Sequence, residues 1–177
     1  MKELKLKNSI KSFFWVLGLA AYFLFFNCNY GYTDPISQSG WTLLYADSEE
    51  TAGEDGAAEN AFDGDPETFW HTEWLRRDPL PPHEIRIDLG ATYDIGGFRY
   101  LPIQENGHIG QYAFYVSADG VNWGSAAATG RFAFDLTEKE VVFPTATGRY
   151  IRLVALSEVN GNPWTAAAEI NVLGREQ

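Results

Sequence analysis

The amino-acid sequence predicts an all-β protein, an antiparallel β-sandwich, and three observations lead to that prediction. Apolar and polar residues alternate in several short runs, which is typical of half-buried strands. Turn-forming pairs such as Asn106-Gly107 and Asp119-Gly120 separate these runs. No window of about a dozen residues carries an apolar stripe of helical period. Short strands at this spacing favour a sandwich, whose loops collect at its two ends.

Four runs show the alternation most clearly, and each places every second side chain on one face of a predicted strand. In chain order they are residues 85–89, 112–116, 151–155 and 168–172. Asp88-Leu89-Gly90 is interpreted as a turn at the end of the first of these runs, and Asn160-Gly161 as a turn before the last. A further strand is expected from Phe98 to Gln104, with the loop that carries Asn106 after it.

Tryptophan and histidine residues outside the candidate sites receive structural predictions. Trp41 opens the first predicted strand, and Trp70 and Trp123 occur in strand-like or turn-packing contexts, so all three are expected in the core. His83 and His108 are single histidines in predicted loops, and we expect both to be exposed to solvent.

The charge of the chain is unevenly distributed. The 177 residues contain 13 Lys and Arg against 24 Asp and Glu, a formal net charge of −11. Residues 1–28 hold four Lys and one Glu, which leaves 9 basic and 23 acidic residues, or −14, for the rest. A body this acidic lacks the cations that bind nucleic acid or an anionic lipid surface, so we expect neither partner.

The N-terminal segment predicts export. Four lysines precede an uncharged run from Phe13 to Phe26, which as a helix would span about 21 Å, short of the hydrocarbon core of a membrane. A basic segment before a short apolar run is typical of a secretory signal. Residues 1–28 are therefore interpreted as a signal peptide, a lipoprotein signal with Cys28 as the lipidated residue, or an uncleaved anchor. We expect a secreted or cell-surface protein that contacts a membrane only through this segment.

The rest of the chain is expected to hold one domain. Residues 29–39 are interpreted as a tether and residues 40–174 as a single compact domain, since no linker, repeat or low-complexity stretch interrupts them. Cys28 is the only cysteine, so no disulfide within the chain can stabilise this domain. Stability must then come from the apolar core and, in one interpretation, from a metal ion.

A segment rich in oxygen ligands follows the first predicted strand. Residues 60–68 place three carboxylates and a hydroxyl around a Gly-Asp-Pro turn. The oxygen ligands Asp63, Asp65 and Thr68 have the hardness that Ca²⁺ prefers, whereas a zinc site would need His or Cys. The segment is not an EF-hand, because the twelfth position from Asp63 is Trp74 rather than Glu. An ordinary solvated acidic turn is the alternative.

Several motifs in a fixed order resemble a known family. They are residues 61–72, 87–90, 115–124, 148–153 and 158–172. Together they resemble the discoidin-type (coagulation factor 5/8 type C) domains. More narrowly, they are similar to the family 32 carbohydrate-binding modules that are appended to bacterial sialidases and galactosidases and to fungal galactose oxidase. The resemblance extends from Trp41 to Leu173 and implies an eight-stranded jelly-roll sandwich, galactose-binding-domain-like, that binds galactose-type sugars without catalysis.

The resemblance also implies a structural Ca²⁺. Its ligands carry over to the carbonyl of Asn60, the carboxylates of Asp63 and Asp65, the hydroxyl and carbonyl of Thr68, the carbonyl of Ala168 and the carboxylate of Glu169. The ion would join the loop in the first half of the chain to the last strand, which would partly replace the absent disulfide.

Five residues are candidates for sugar binding. His71 and Trp74 match the hydrogen-bonding histidine and the stacking aromatic residue of the family, and His71 has a buried structural role as its alternative. Glu73 lies between them and could accept a bond from a hydroxyl group, while Asn106 and Trp164 lie on loops that could complete the site. Sugars bind by stacking on aromatic planes while a few polar groups orient their hydroxyls.

One position departs from the family pattern and bears on specificity. Many galactose-binding relatives carry Arg where this chain has Ile103, and isoleucine offers no donor to a sugar hydroxyl. The sequence therefore predicts a glycan of galactose type or a related one, without naming it.

The preferred interpretation of function is a calcium-stabilised, non-catalytic carbohydrate-binding module that could accompany a glycoside hydrolase. The alternative is a discoidin-like adhesion domain for a protein or cell-surface partner. An enzyme is disfavoured, because the chain has no Gly-x-Ser-x-Gly motif and its one cysteine lies in the predicted export segment.

Overall fold

A computed structural model describes residues 34–104 and 106–177, so the predicted export segment and Cys28 lie outside the described residues. The structure contains eight strands and one short 3-10 helix, Ala58–Phe62. The strands are β1 (Thr42–Ala46), β2 (Trp70–His71), β3 (His83–Leu101), β4 (Gln111–Ser117), β5 (Ala128–Arg131), β6 (Lys139–Ala155), β7 (Ala166–Ala167) and β8 (Glu169–Glu176). All pairings are antiparallel, which confirms the predicted fold class. None of the helices in these residues is long and apolar enough to cross a membrane.

Two long strands, β3 and β6, contribute to both layers of the sandwich. The first half of β3 pairs with β1 and with the second half of β6, which continues to β4 and β5. The second half of β3 pairs with β8 and with the first half of β6. The layers meet face to face, because Phe98 from the second half of β3 stacks on Phe114 of β4 with ring centroids 4.2 Å apart.

Gly90 marks the place where β3 leaves one layer for the other. Its φ of 81° lies in the left-handed region, and the pairing register of β3 with β6 shifts between Asp88 and Tyr93. A Cβ at Gly90 would lie 3.0 Å from the carbonyl oxygen of Gly40. The prediction of a turn at residues 88–90 is therefore wrong, because the glycine bends the strand instead of ending it.

The core lies between the layers and is rich in aromatic rings. Phe98, Phe114, Tyr112 and Phe132 form successive stacked or edge-on pairs. Trp41 and Trp70 are buried, with 7% and 1% of their surfaces exposed, as predicted. The prediction for Trp123 is wrong.

Trp123 lies outside this core cluster. It is half-buried, with the guanidinium of Arg86 positioned 5.9 Å from its ring centroid. An aromatic ring under an arginine cannot be distinguished by sequence from an aromatic ring in the core, since an aromatic residue suits both positions.

The folded domain starts earlier than predicted. Residues 34–39 were assigned to a tether, but Ile36 is a buried member of the core and its N–H donates to the carbonyl of Val172 at 2.8 Å. The N–H of Gly174 in turn donates to the carbonyl of Asp34. The free edge of β8 offers these backbone groups, and Ile36 adds an apolar side chain, so this segment packs along the strand.

A smaller apolar cluster lies apart from the main core. Ile103, Ala166 and Ala168 are buried together, and the partly buried side chains of Phe69 and Leu101 pack against them. The short β2–β7 pair adjoins this cluster, with His71 opposite Ala166. This satellite cluster forms the base on which the candidate site is built.

Candidate functional site

A cavity of about 240 Å³ adjoins the satellite cluster and the β2–β7 pair. Its wall brings together residues that are far apart in sequence: Glu54, Phe69, His71, Trp74, Ile103, Asn106 and Trp164. Four of the five residues predicted to bind sugar are among them, and Glu73 is not. Glu54 and Phe69 were missed by the sequence reasoning.

His71 is held rigidly in the wall of the cavity. Only 4% of its surface is exposed, and its Nδ1 lies 2.7 Å from the carbonyl oxygen of Thr72, to which it donates. Its Nε2 lies 3.1 Å from the Oδ1 of Asn106, so the two side chains contact each other in the cavity wall.

Trp74 forms an exposed platform beside the cavity, with 39% of its surface accessible. Its indole N–H donates to the Glu54 carboxylate at 2.8 Å. The ring lies so close to the backbone of Gly53 that a Cβ there would be 2.9 Å from a ring carbon. Gly53 and Glu54 therefore fix both the plane and the edge of the indole.

Glu50 joins the loop that contains Gly53 to the segment that contains Trp74. Its buried carboxylate accepts the backbone N–H groups of Ala52 and Gly53 on one oxygen and of Trp74 and Leu75 on the other, at 2.7–3.0 Å. These bonds, with those from Trp74 and Leu75 strongest, lower the pKa of Glu50 to about 2. The carboxylate stays ionised and holds the two loops together.

Glu73 has a different environment from the one predicted. Its carboxylate pairs with the guanidinium of Arg77 at 2.8 Å, and its backbone N–H donates to the hydroxyl of Ser48. The residue does not line the cavity, since its side chain points to the neighbouring arginine four positions further along. The acidic group at the cavity is Glu54, which lies 20 residues before Trp74 in sequence.

His83 anchors the loop that carries Trp164. Its Nδ1 lies 2.8 Å from the Asp47 carboxylate, and its Nε2 lies 2.8 Å from the carbonyl oxygen of Pro163. Both neighbours are acceptors, so both ring nitrogens must donate, which requires the protonated imidazolium. Burial lowers the pKa of His83, but the bonds to Asp47 and Pro163 and the charge of Asp47 outweigh it and raise the pKa.

Neither His83 nor His108 is exposed, so both predictions are wrong. His83 is 0% exposed and His108 is 2% exposed. The Nε2 of His108 donates to the carbonyl of Ile103 at 2.8 Å, and its ring packs on Phe134 with centroids 5.2 Å apart. Both histidines are buried where one ring nitrogen meets a backbone carbonyl, that of Pro163 for His83 and that of Ile103 for His108.

The predicted calcium ligands meet at the start of β8. The hydroxyl of Thr68 donates to the Asp63 carboxylate at 2.8 Å, and the N–H of Gly64 donates to the Glu169 carboxylate at 2.9 Å. Burial raises the pKa of Glu169, and the charges of Asp63 and Asp65 raise it further. Glu169 is thereby connected to the 60–68 loop by a hydrogen bond and by the charges of that loop.

The remaining members of the predicted calcium set contribute backbone oxygens. Ala168 is buried. Asn60 lies in the 3-10 helix, and its side-chain amide donates to the carbonyl of Asp55. Within the described residues, no group of three or more His, Cys, Asp or Glu side chains is arranged to hold a metal ion. Carbonyl and hydroxyl oxygens make up most of the expected set, so the residues fit a calcium site better than a zinc site.

An antiparallel sandwich whose loops enclose a small aromatic-walled cavity defines a ligand-binding module. The chain belongs to the F5/8 type C domain family, whose profile matches residues 45–170. The resemblance found in the sequence is thereby confirmed.

Curated relatives include enzymes that are much longer than this chain. The chain is 46% identical over 143 residues to a sialidase of Micromonospora viridifaciens, which covers 79% of the chain and 22% of the sialidase. It is 44% identical over 141 residues to a galactose oxidase of Gibberella zeae, which covers 77% of the chain and 20% of that enzyme. The chain thus spans about a fifth of the length of these relatives.

Solved structures of similar size include carbohydrate-binding modules. The Clostridium perfringens module CpGH89CBM32-5, in complex with GalNAc-β-1,3-galactose, is 33% identical with a TM-score of 0.72, and the match covers 79% of this chain and 99% of the module. A family 32 module from C. perfringens NanJ, in complex with galactose, is 31% identical with a TM-score of 0.67, covering 78% and 96%. This chain is accordingly a non-catalytic carbohydrate-binding module.

Proposed function

We propose that the cavity beside Trp74 binds a terminal neutral sugar of galactose type or a related glycan. The observation that carries the proposal is the meeting of His71, Trp74, Asn106 and Trp164 around one cavity. The ligands of the two C. perfringens modules, galactose and GalNAc-β-1,3-galactose, support the sugar class.

The chemistry of the wall suits a sugar ring. The Trp74 indole offers an apolar plane for the C–H face of a pyranose, while Glu54 accepts bonds from hydroxyls and Asn106 both donates and accepts. Ile103 adds apolar surface where many relatives have Arg, so hydroxyl recognition here depends on Glu54, His71 and Asn106. A small site with few hydrogen bonds gives an affinity in the range of about 10 μM to 1 mM.

Substitution of Trp74 tests this proposal. Trp74→Ala removes the stacking plane from a ring that is already partly exposed, so the fold survives and sugar affinity falls by at least about tenfold. Binding is measured on a glycan array and by isothermal titration with the best-bound sugar. Trp123→Ala is the matched control, since Trp123 is half-buried and does not line the cavity. Retained binding by Trp74→Ala would contradict the proposal.

A discoidin-like adhesion domain is the alternative function. The same loops could present Trp74 and Trp164 to a protein surface, because aromatic residues are frequent in protein interfaces. A glycan array that shows no binding, together with capture of a defined glycan-free protein that depends on Trp74, would favour adhesion.

We also propose that Ca²⁺ stabilises the domain through Asp63, Asp65, Thr68 and Glu169, with carbonyl oxygens of Asn60 and Ala168. The hydrogen bond from the Gly64 N–H to the Glu169 carboxylate, which joins the 60–68 loop to the start of β8, supports this role. The pKa of Glu169 is raised, first by burial and then by the charges of Asp63 and Asp65, which is consistent with a nearby cation in the native domain. The ion would supply positive charge that joins the 60–68 loop to β8. It has no part in the proposed chemistry of sugar binding.

Export and association with an enzyme complete the proposal. The basic segment and the uncharged run before Cys28 support secretion or attachment at the cell surface. The greater length of the sialidase and galactose oxidase relatives supports a role beside a glycoside hydrolase. Cell fractionation combined with added protease tests the location, and a chain that is fully protected inside intact cells would contradict export.

A further inference from the structure

We propose that His83, a buried side chain outside the cavity, is a positioning residue that acts through Pro163 on Trp164 and makes sugar affinity depend on pH. This inference rests on the proposed function of the cavity that Trp164 lines. His83 is fully buried and is not among the residues that line this cavity. Any effect of His83 on a bound sugar must therefore pass through the protein.

Trp164 is held between two backbone anchors, one on each side of it in sequence. On one side, the N–H of Thr72 donates to the carbonyl of Thr165, and the N–H of Thr165 donates to the hydroxyl of Thr72, both at 2.9 Å. On the other side, the carbonyl oxygen of Pro163 lies 2.8 Å from Nε2 of His83. Among the residues that the structure describes, the indole N–H of Trp164 has no hydrogen-bond partner. The ring is therefore oriented by its packing and by these two anchors.

The anchor at Pro163 can titrate, whereas the anchor between the two threonines has no ionisable group. The ring of His83 lies between two acceptors, the Asp47 carboxylate and the Pro163 carbonyl, so both bonds require the imidazolium. A neutral ring keeps one donor, and Nδ1 retains it because the ionised carboxylate is the stronger acceptor. Nε2 then presents a lone pair to the Pro163 carbonyl oxygen, and the contact becomes repulsive. The loop that carries Trp164 is expected to shift away from His83.

The elements around His83 favour the charged ring. Asp47, in the segment after β1, acts on the ring by its charge as well as by its hydrogen bond, and the segment before β3 contributes the backbone of Pro79. β6 places the uncharged Ala155 opposite His83. In the loop before β7 the ionisable group is Glu158, whose carboxylate accepts two backbone N–H groups of that loop.

The direction of the pH effect follows from these contacts. Burial lowers the pKa of His83, but the bonds to Asp47 and Pro163 and the charge of Asp47 raise it above its ordinary value of 6.5. The imidazolium is therefore present at pH 6.5 and below, and it is lost as the pH rises through the folded pKa. The bond to Pro163 is lost with it, so sugar affinity is expected to fall as the pH rises.

Calorimetric titration with galactose and with N-acetylgalactosamine across this pH range tests the inference. Affinity is expected to fall by at least about threefold between about pH 6 and pH 9, because the protonated form holds Trp164 in the cavity wall. By the same linkage, sugar binding takes up protons near the midpoint of the fall, so the measured heat depends on the ionisation enthalpy of the buffer. A role of His83 in stability alone would lower the melting temperature at high pH without producing either effect on the folded domain.

Two substitutions and one control identify the residues responsible. Asp47→Asn removes the charge beside His83 and is expected to move the fall in affinity at least about one pH unit lower. Trp164→Ala is expected to bind more weakly at about pH 6 and to lose the pH dependence, because the titrating anchor no longer carries a ring. Asp78→Asn, an exposed substitution with the same change in charge as Asp47→Asn, should behave as the unmodified domain does.

Three outcomes would contradict the inference. Affinity that is independent of pH, or a fall that is unchanged in Asp47→Asn, would overturn the role of His83 while the Trp74-dependent site stands. A fall that persists in Trp164→Ala would assign the titration to groups in the cavity wall, and this variant decides the matter even if Asp47→Asn does not fold. No binding of either sugar at any pH would overturn both the proposed function and this inference.

Discussion

Glu50 illustrates how one side chain organises the candidate site without touching a ligand. Four backbone N–H groups donate to its carboxylate and hold its charge. Two of these groups belong to the loop under Trp74 and two to the segment that contains Trp74. The orientation of the indole therefore depends on a carboxylate more than 20 residues away in sequence.

His83 gives the domain a predictable response to pH. Its folded pKa is raised above the usual value of about 6.5, so the stabilisation is fully present below about pH 6.5 and is lost as the pH rises through the folded pKa. We expect the melting temperature to fall as the pH is raised from about 6 to 9. Asp47→Asn should cost about 1.5–3 kcal/mol at pH 6, because it removes a charged hydrogen bond to a buried group, and should flatten the pH dependence.

Thermal melts across this pH range, read by circular dichroism, check the prediction. Asp78→Asn is the control, because Asp78 is exposed and this substitution changes the net charge by the same amount as Asp47→Asn. A pH dependence that is identical in Asp47→Asn and in the unmodified domain would show that the imidazolium is not responsible.

The sequence reveals site residues where a recognisable motif or a predicted loop carries them, as it does for His71, Trp74, Asn106 and Trp164. His71 and Trp74 are three positions apart in a recognisable motif, so they could be predicted. Glu54 could not, because its place at the cavity arises from the loop geometry that Glu50 imposes. Glu73 was chosen for its position between His71 and Trp74, but Arg77 was a nearer partner for its charge.

At the level of elements, the 60–68 loop and β8 are joined by few direct bonds. The side chain of Glu169 accepts the N–H of Gly64 on one oxygen and the amide of Gln38 on the other. These bonds leave the negative charges of Asp63 and Asp65 close to a buried carboxylate. The pairing of this loop with this strand is therefore electrostatically costly without a cation.

Removal of Ca²⁺ should destabilise the domain. At a calcium concentration about 100 times the dissociation constant, binding contributes about 2.7 kcal/mol. For a domain of this size, we expect excess chelator to lower the melting temperature by about 5–10 °C. Differential scanning calorimetry with and without chelator measures the shift, and Glu169→Gln should show a smaller response. An unchanged melting curve in excess chelator would contradict the proposed site.

Strand prediction succeeded where the alternation is regular and failed where a strand changes layer. The runs at 112–116 and 151–155 lie within β4 and β6 as predicted. Residues 85–89 were also correctly assigned to a strand, but the strand continues to Leu101 through Gly90. A glycine with positive φ is compatible with either a turn or a bend, and only the pairing with β6 and β8 distinguishes the two.

For the whole molecule, net charge should govern which glycans are accepted. The chain carries −11 overall, and no Lys or Arg is among the residues that line the cavity of the candidate site. We expect neutral glycans to bind with an affinity that changes less than about twofold between 50 and 500 mM NaCl, because screening has no favourable ion pair to weaken. Sialylated versions of the same glycans should bind more weakly, and more weakly still at low salt.

A glycan array probed at the two salt concentrations checks this prediction, with each neutral glycan paired with its sialylated form. A steep loss of affinity for neutral glycans at high salt would reveal an ion pair and contradict the expected mode of binding. Stronger binding of the sialylated forms would do the same.

The exchange of β3 and β6 between the two layers also has a mechanical consequence. Because β3 and β6 both run from one layer to the other, the layers cannot slide apart without breaking the pairings of both strands. A force that pulls the layers apart is therefore shared by two sets of backbone hydrogen bonds.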